Sequence, residues 1–138
     1  MDMSNAFHNL NWLAIIVAAV SAFVLGGLWY SPILFANRWM KETGITEETT
    51  KNANMTRIFS IGFLLALIAS FFLAMFIGEN AGGAYGALEG FMAGLGWVFT
   101  FMGISYLFES RTLGHFLINS GYSVVSLTVM GLIIGVWQ

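Results

Sequence analysis

Four polar residues in an otherwise apolar stretch are the first candidates for chemistry. His115, Asn119, Tyr122 and Ser126 follow the i, i+4, i+7, i+11 spacing that lines one face of an α-helix. An asparagine amide in hydrocarbon is costly unless it finds a partner, so this face must look into the molecule. It could supply interhelical hydrogen bonds, each worth about 0.6 kcal/mol in a membrane. It could equally line a polar cleft or conduction path, in which only His115 would titrate near neutral pH. Glu109 and Arg111 bracket a short break just before this stripe. Spaced i, i+2, they do not share a helical face. Glu109 stands at a helix C-terminus, which is electrostatically negative, so a cation should accompany it; Arg38 and Arg57 are the expected partners.

No nucleophile–base pair, phosphate-binding loop or dinucleotide glycine motif appears in a fitting context. The absence of cysteine excludes a disulfide framework, an iron–sulfur cluster and a thiolate zinc site. His8 precedes the first apolar stretch and His115 begins the last, so most of a ~30 Å hydrocarbon core separates them. A bis-histidine haem or a metal shared by the two is therefore not expected within one chain. The reading is of a non-enzyme with no catalytic residues, no metal and no cofactor.

Glycine forms the other pattern. Gly82, Gly86, Gly90 and Gly94 fall at steps of four, and Gly131 and Gly135 sit in the last apolar stretch. Lipid supplies no hydrophobic drive between helices, so close backbone approach through small residues matters. Gly86, Gly90, Gly94, Gly131 and Gly135 are helix-packing positions, either inside one bundle or between copies of the chain in a homo-oligomer.

The elements that must position these residues follow from composition. The chain has 138 residues, of which 58% are hydrophobic and 9% charged. That is too little polar surface for a soluble globule and the reverse of the composition of disorder. A net charge of −2 argues against a nucleic-acid partner. Charge-free runs of about 20 apolar residues are long enough to span a bilayer. Four occur, at about 11–30, 58–78, 90–108 and 112–137, within a single transmembrane domain covering 1–138. No basic residue precedes Arg38, and the first run continues to Tyr30, so an uncleaved helix is expected rather than a signal peptide.

Arg38, Lys41, Lys51, Arg57 and Arg111 all fall between the first and second spans or between the third and fourth. The positive-inside rule makes that side cytoplasmic and puts both termini outside. Asp2, Glu79 and Glu89 are the charges of the outer side, with Glu89 capping the start of the third span. In the cytoplasmic loop 31–57, Ser31-Pro32 reads as the start of a short interfacial helix lying apolar side down and ending at Gly44. Thr46 followed by Glu47 and Glu48 reads as the start of a helix that runs unbroken into the second span.

Two blocks, Gly27-Leu28-Trp29-Tyr30-Ser31-Pro32 preceded by Asn11-Trp12-Leu13-Ala14-Ile15, and Leu117-Ile118-Asn119-Ser120-Gly121-Tyr122 preceded by Leu107-Phe108-Glu109 with Arg111, carry a resemblance. They resemble the family known as domain of unknown function 1761, over almost the whole chain. The resemblance implies a small four-helix bacterial protein of the cytoplasmic (inner) membrane, without an assigned reaction. It marks Trp29, Tyr30, Ser31, Pro32, Glu109, Arg111, Asn119, Gly121 and Tyr122 as motif positions. Family members often carry a histidine after the Gly-Tyr pair, where this chain has Ser123, so a mechanism needing that histidine is not implied here.

The fold expected is all-α, a four-helix membrane bundle with one short interfacial helix. The two motif blocks should meet at its inner mouth, where Tyr30, Ser31, Glu109, Arg111, His115, Asn119, Tyr122 and Ser126 form a candidate polar pocket. Two functions fit: a homo-oligomeric small-solute or ion channel or transporter-like protein lined by the stripe, and a non-catalytic scaffold or accessory subunit. The lipid bilayer is the expected partner, and the class of any small-molecule ligand is left open.

Overall fold

A computed structural model describes residues 3–138, all of them in helices, turns and connecting segments, with no strand; Asp2 lies outside the described residues. In chain order the elements are α1 (Met3–His8), α2 (Trp12–Trp29), α3 (Ala36–Thr43), α4 (Glu47–Lys51), α5 (Met55–Ile77), α6 (Gly83–Ala93), a π-helical segment (Gly94–Phe99), α7 (Thr100–Phe108) and α8 (Leu113–Trp137). The helices α2, α5, the continuous α6–π–α7 rod and α8 are each long and apolar enough to cross a membrane. Their outward faces carry large apolar side chains such as Val24, Leu65, Phe76 and Phe101, while the interior mixes alanine, serine and glycine with a few Leu, Ile and Met. That is the reverse of a water-soluble bundle and suits hydrocarbon surroundings.

Capping explains the boundaries. Asn11, Asn54 and Thr112 each accept a backbone N–H of the first turn of α2, α5 and α8, satisfying one of the orphan donors of a helix start. Gly44 ends α3 at φ +77°, the left-handed position that glycine adopts without strain. Thr46 caps α4 as expected, but α4 does not run on into α5. The chain breaks at Asn52–Asn54, because the Asn54 side chain takes the Arg57 N–H and so begins a new helix at Met55. Ser31-Pro32 does not open α3 either. The Ser31 carbonyl accepts from both Leu34 and Ala36, which closes a compact turn over 31–35, and the helix starts after it. The third apolar rod begins at Gly83 rather than near residue 90. Glu89 therefore lies inside it, roughly 9 Å from its start, and not at its cap.

The most extensive helix pair is α6 with α8, and glycine is the reason. A methyl group added to Gly86 or Gly131 would fall on the carbonyl oxygen of the other; one on Gly90 would fall on the Leu127 oxygen, and one on Gly135 on the Gly82 oxygen. Each of these glycines thus turns a Cα–H toward a carbonyl across the interface, a contact worth roughly 0.5–1 kcal/mol. Gly94 packs against Val124 in the same row. The glycine stripe is used within one chain.

α2 packs on α5 and α8 through alanines. Ala14, Ala18, Ala19 and Ala22 are buried, and Ile15, Ala18 and Ala22 pack with Leu73, Ala74 and Ile77 of α5 and Met130 and Ile134 of α8. Ser70, 0% exposed, donates to the Ile15 carbonyl at 2.8 Å, a local polar tie in this otherwise apolar seam. At the end of the bundle opposite the Lys and Arg residues, Gln138 closes the structure. Its amide nitrogen donates to the Ala74 and Gly78 carbonyls at 2.9 and 2.8 Å, and Asn11 donates to the Trp137 carbonyl at 2.9 Å.

Candidate functional site

The basic end of the bundle is built where the C-terminal end of α2, the α3 segment, α7 and the first turns of α8 converge. A three-residue turn, with Ser110 at φ +54°, folds α7 back against α8. The Arg111 N–H reaches the Tyr106 carbonyl at 2.9 Å and fixes the two helix ends side by side. That turn brings Tyr106 opposite Asn119.

Asn119 is the hub. Its Oδ1 accepts from the Tyr30 hydroxyl at 2.8 Å and from the Trp39 indole at 3.1 Å, and its Nδ2 donates to the Tyr106 hydroxyl at 3.0 Å. One amide thus ties α8 to the end of α2, to α3 and to α7. The two motif blocks interlock around it. The Trp29 indole donates to the Ile118 carbonyl at 3.0 Å, and its ring lies over Gly121, where an added methyl would meet it at 3.2 Å. Reciprocally, Tyr122 lies on Gly26 and donates to the Ala22 carbonyl at 2.7 Å. The rings of Tyr30 and Tyr122 meet edge to face at 5.6 Å, and Tyr30 meets Trp39 in the same way at 5.7 Å.

His115 is 7% exposed and its ring packs on Tyr106 at 5.0 Å. The guanidinium of Arg111 stands over the other part of this group, 5.6 Å from the Tyr106 ring centre. Glu42, on the last turn of α3, reaches the start of α8. A methyl on Gly114 would meet the Glu42 Oε1 at 2.5 Å, so the carboxylate lies against the first turn of α8, beside Thr112. Arg38 pairs with Glu42 at 2.8 Å from one turn earlier. Thr112 and then Arg38 hold the Glu42 carboxyl below the usual carboxylate range, against the opposing effect of desolvation. A carboxylate at a helix N-terminus is also favoured by the helix dipole.

The sign of the resulting pH dependence is fixed. A depressed folded-state pKa gives stability that is complete above the unfolded value, near 4.3, and is lost as pH falls through the lower folded value. Thermal unfolding of Glu42→Gln is therefore expected to lie below that of the parent at pH 7. The gap should close on acidification below about pH 4; a gap independent of pH would remove the ionised carboxylate from this account.

The structure brings some of the residues of the sequence-derived pocket together and not others. Tyr30, Asn119 and Tyr122 are brought together, with His115 beside them through Tyr106. Ser31 is not part of it, since its hydroxyl donates to the Leu28 carbonyl at 2.6 Å, which the adjoining tight turn places within reach. Ser126 is buried two turns deeper and its hydroxyl faces the Met130 sulfur at 3.9 Å. Glu109 pairs with neither Arg38 nor Arg57. It pairs with Arg111 at 3.3 Å, both half-exposed, because the left-handed Ser110 bends the chain so that i and i+2 face each other.

Trp39, Glu42 and Thr112 belong to the site and escaped the sequence reading. Trp39 reads as one more apolar residue of an amphipathic turn, although its indole N–H is an obligate donor when buried. Thr112 stands one residue before a helical run, which is an N-cap signal. Asn119 and Tyr122 spend their polar atoms on other helices, Ser126 stays within its own helix, and among the described residues no buried side-chain nitrogen or oxygen lacks a hydrogen-bond partner.

Comparison with known proteins adds a family and no activity. No curated protein and no solved structure matches the chain. The family model described as "Protein of unknown function (DUF1761)" matches residues 13–135, a range that contains both interlocking blocks and the whole Asn119 hub. The chain belongs to the DUF1761 family.

Proposed function

We propose that this protein is a non-catalytic, multi-pass scaffold or accessory subunit of the bacterial inner membrane, with its basic end in the cytoplasm and both termini outside. The observation that carries this reading is that Asn119 bonds Tyr30, Trp39 and Tyr106, one partner on each of three other elements. Asn119 and Tyr122, which could have lined a path, instead hold helices to one another. A rigid support needs such bonds, whereas a conducting route needs groups left free for solute or water. The orientation rests on the position of all five Lys and Arg residues and on the positive-inside rule. Self-association, in this reading, uses the apolar outer faces, because the glycine row is occupied inside the chain.

The channel or transporter-like reading makes an opposite prediction, and the chain's lack of cysteine makes the comparison clean. Single cysteines placed at 122 and 126 in protein reconstituted into vesicles should not react with a charged maleimide from either side. The same vesicles should show no ion or proton flux above protein-free controls. Labelling at both positions together with flux would overturn the scaffold reading in favour of conduction.

A further inference from the structure

We propose that α3 is a hinged lid over the inner-mouth cluster, latched by the Glu42 carboxylate on the first turn of α8. The proposal goes beyond the scaffold reading and stands independently of it, since a lid can close over a support surface or over a pathway.

The helix α3 is eight residues long and buries only Ala36, and its main packing partner is α8. Its outer face is polar, with Asn37, Arg38 and Lys41 exposed, while Trp39 reaches inward to Asn119 and the Tyr30 ring. Isolated helices this short are not stable in water, so α3 owes its place to what it docks on. The docking consists of two polar contacts that bracket His115 along α8. Glu42 sits at Thr112 and Gly114 on one side, and Trp39 bonds Asn119 on the other. The lid would pivot on its lead-in, where the turn over 31–35 is bonded to the end of α2, and Gly44 at φ +77° ends it on the other side.

The cluster beneath is arranged so that the lid can leave without stranding it. When Trp39 withdraws, Asn119 Oδ1 keeps the Tyr30 hydroxyl and its Nδ2 keeps Tyr106. Thr112 remains the cap of α8 through its bond from the His115 N–H at 3.1 Å. Glu42 keeps Arg38, which travels with it on the same helix. What changes is that the His115 ring and the outer edge of Asn119 become open to water. The latch is thus separable from the interlock of Trp29 on Gly121 and Tyr122 on Gly26, which holds α2 to α8 whether the lid is shut or not.

The test uses His115→Cys as the reporter in full-length protein in nanodiscs, with a charged maleimide as probe. Two second-site changes release the latch from opposite sides: Glu42→Ala on the lid, and Gly114→Ala, whose methyl takes the space of the carboxylate. Each should raise the labelling rate at 115 about tenfold or more, the change in an opening equilibrium expected for loss of one polar contact to an ionised group. Ser70→Cys, placed in the buried α2–α5 seam, should stay unlabelled in both backgrounds. Unchanged labelling at 115 in both variants would overturn the lid. So would a rate at 70 that rises in step with that at 115, because the bundle as a whole would then be loosening.

Discussion

Gly86→Leu should leave little folded protein, with a loss of at least about 3 kcal/mol, the upper part of the range for overpacking. The first carbon of the new side chain would already fall on the Gly131 carbonyl oxygen. That atom belongs to a helix backbone and cannot swing aside as a flexible side chain would. The helices α6 and α8 would have to part, and Gly90, Gly131 and Gly135 would lose their contacts with them, since all share one row. The control is Gly27→Leu in α2, where an added Cβ meets nothing within 4 Å and the effect should stay within about 0.5 kcal/mol. The measurement is the unfolding midpoint in mixed detergent for both variants against the parent. A Gly86→Leu protein as stable as Gly27→Leu would mean that the α6–α8 contact is wrong.

Asn119→Leu is expected to cost about 2 kcal/mol or more, although it replaces a polar group with an apolar one inside an apolar molecule. The typical interhelical hydrogen bond in a membrane is worth only about 0.6 kcal/mol. Here one amide serves three partners on three elements. Removing it leaves two hydroxyls and an indole N–H without their shared partner, and an orphaned buried donor costs about 1–3 kcal/mol. Ser123→Ala, one turn further along α8, should be close to neutral. Its hydroxyl bonds only the Asn119 carbonyl of its own helix at 3.3 Å and the Met102 sulfur at 3.9 Å. Thermal unfolding followed by circular dichroism would separate the two. Equal stability of the Asn119 and Ser123 variants would remove the hub from this account.

Much of this arrangement was legible in the sequence, for physical reasons. Charge-free stretches identify helices able to cross a membrane because charge in hydrocarbon is expensive, and a polar stripe at helical spacing can be satisfied only by facing inward. Glycine at steps of four announces a close helix contact, but not which helix supplies the other half; only the row formed with Gly131 and Gly135 settles that the contact is internal. The alanine edge of α2, Ala14, Ala18 and Ala22, also packs the bundle but gave no comparable signal, since alanine is common everywhere in apolar helices.

Local details were less legible. Thr46 looked like the start of a long helix because nothing in the composition of 47–54 forbids continuation. The interruption comes from one side chain, Asn54, choosing the Arg57 N–H. The pairing of Glu109 with Arg111 was hidden for a similar reason. The i, i+2 rule holds on a helix, and Ser110 takes the chain off the helix at just that step. Trp39 and Glu42 could not be assigned to the cluster because their partners lie some 70 to 80 residues away in the chain.

The π-helical segment at Gly94–Phe99 has a consequence for how the third rod can vary in length. Along an uninterrupted α-helix, the twelve steps from Gly94 to Tyr106 would turn Tyr106 about 120° away from the glycine row. A π segment absorbs about one residue without advancing the turn, which brings Tyr106 back to within about 20° of that row. The same rod can therefore press its glycines on one half of α8 and offer the Tyr106 hydroxyl to Asn119 on the other. Point substitutions between 95 and 98 leave that phase alone. Loss of a single residue there would let the rod wind as plain α-helix over eleven steps and still keep Tyr106 within about 20° of the glycine row, whereas gain of one would need a second π turn to hold it there, so this stretch tolerates shortening by one residue better than lengthening.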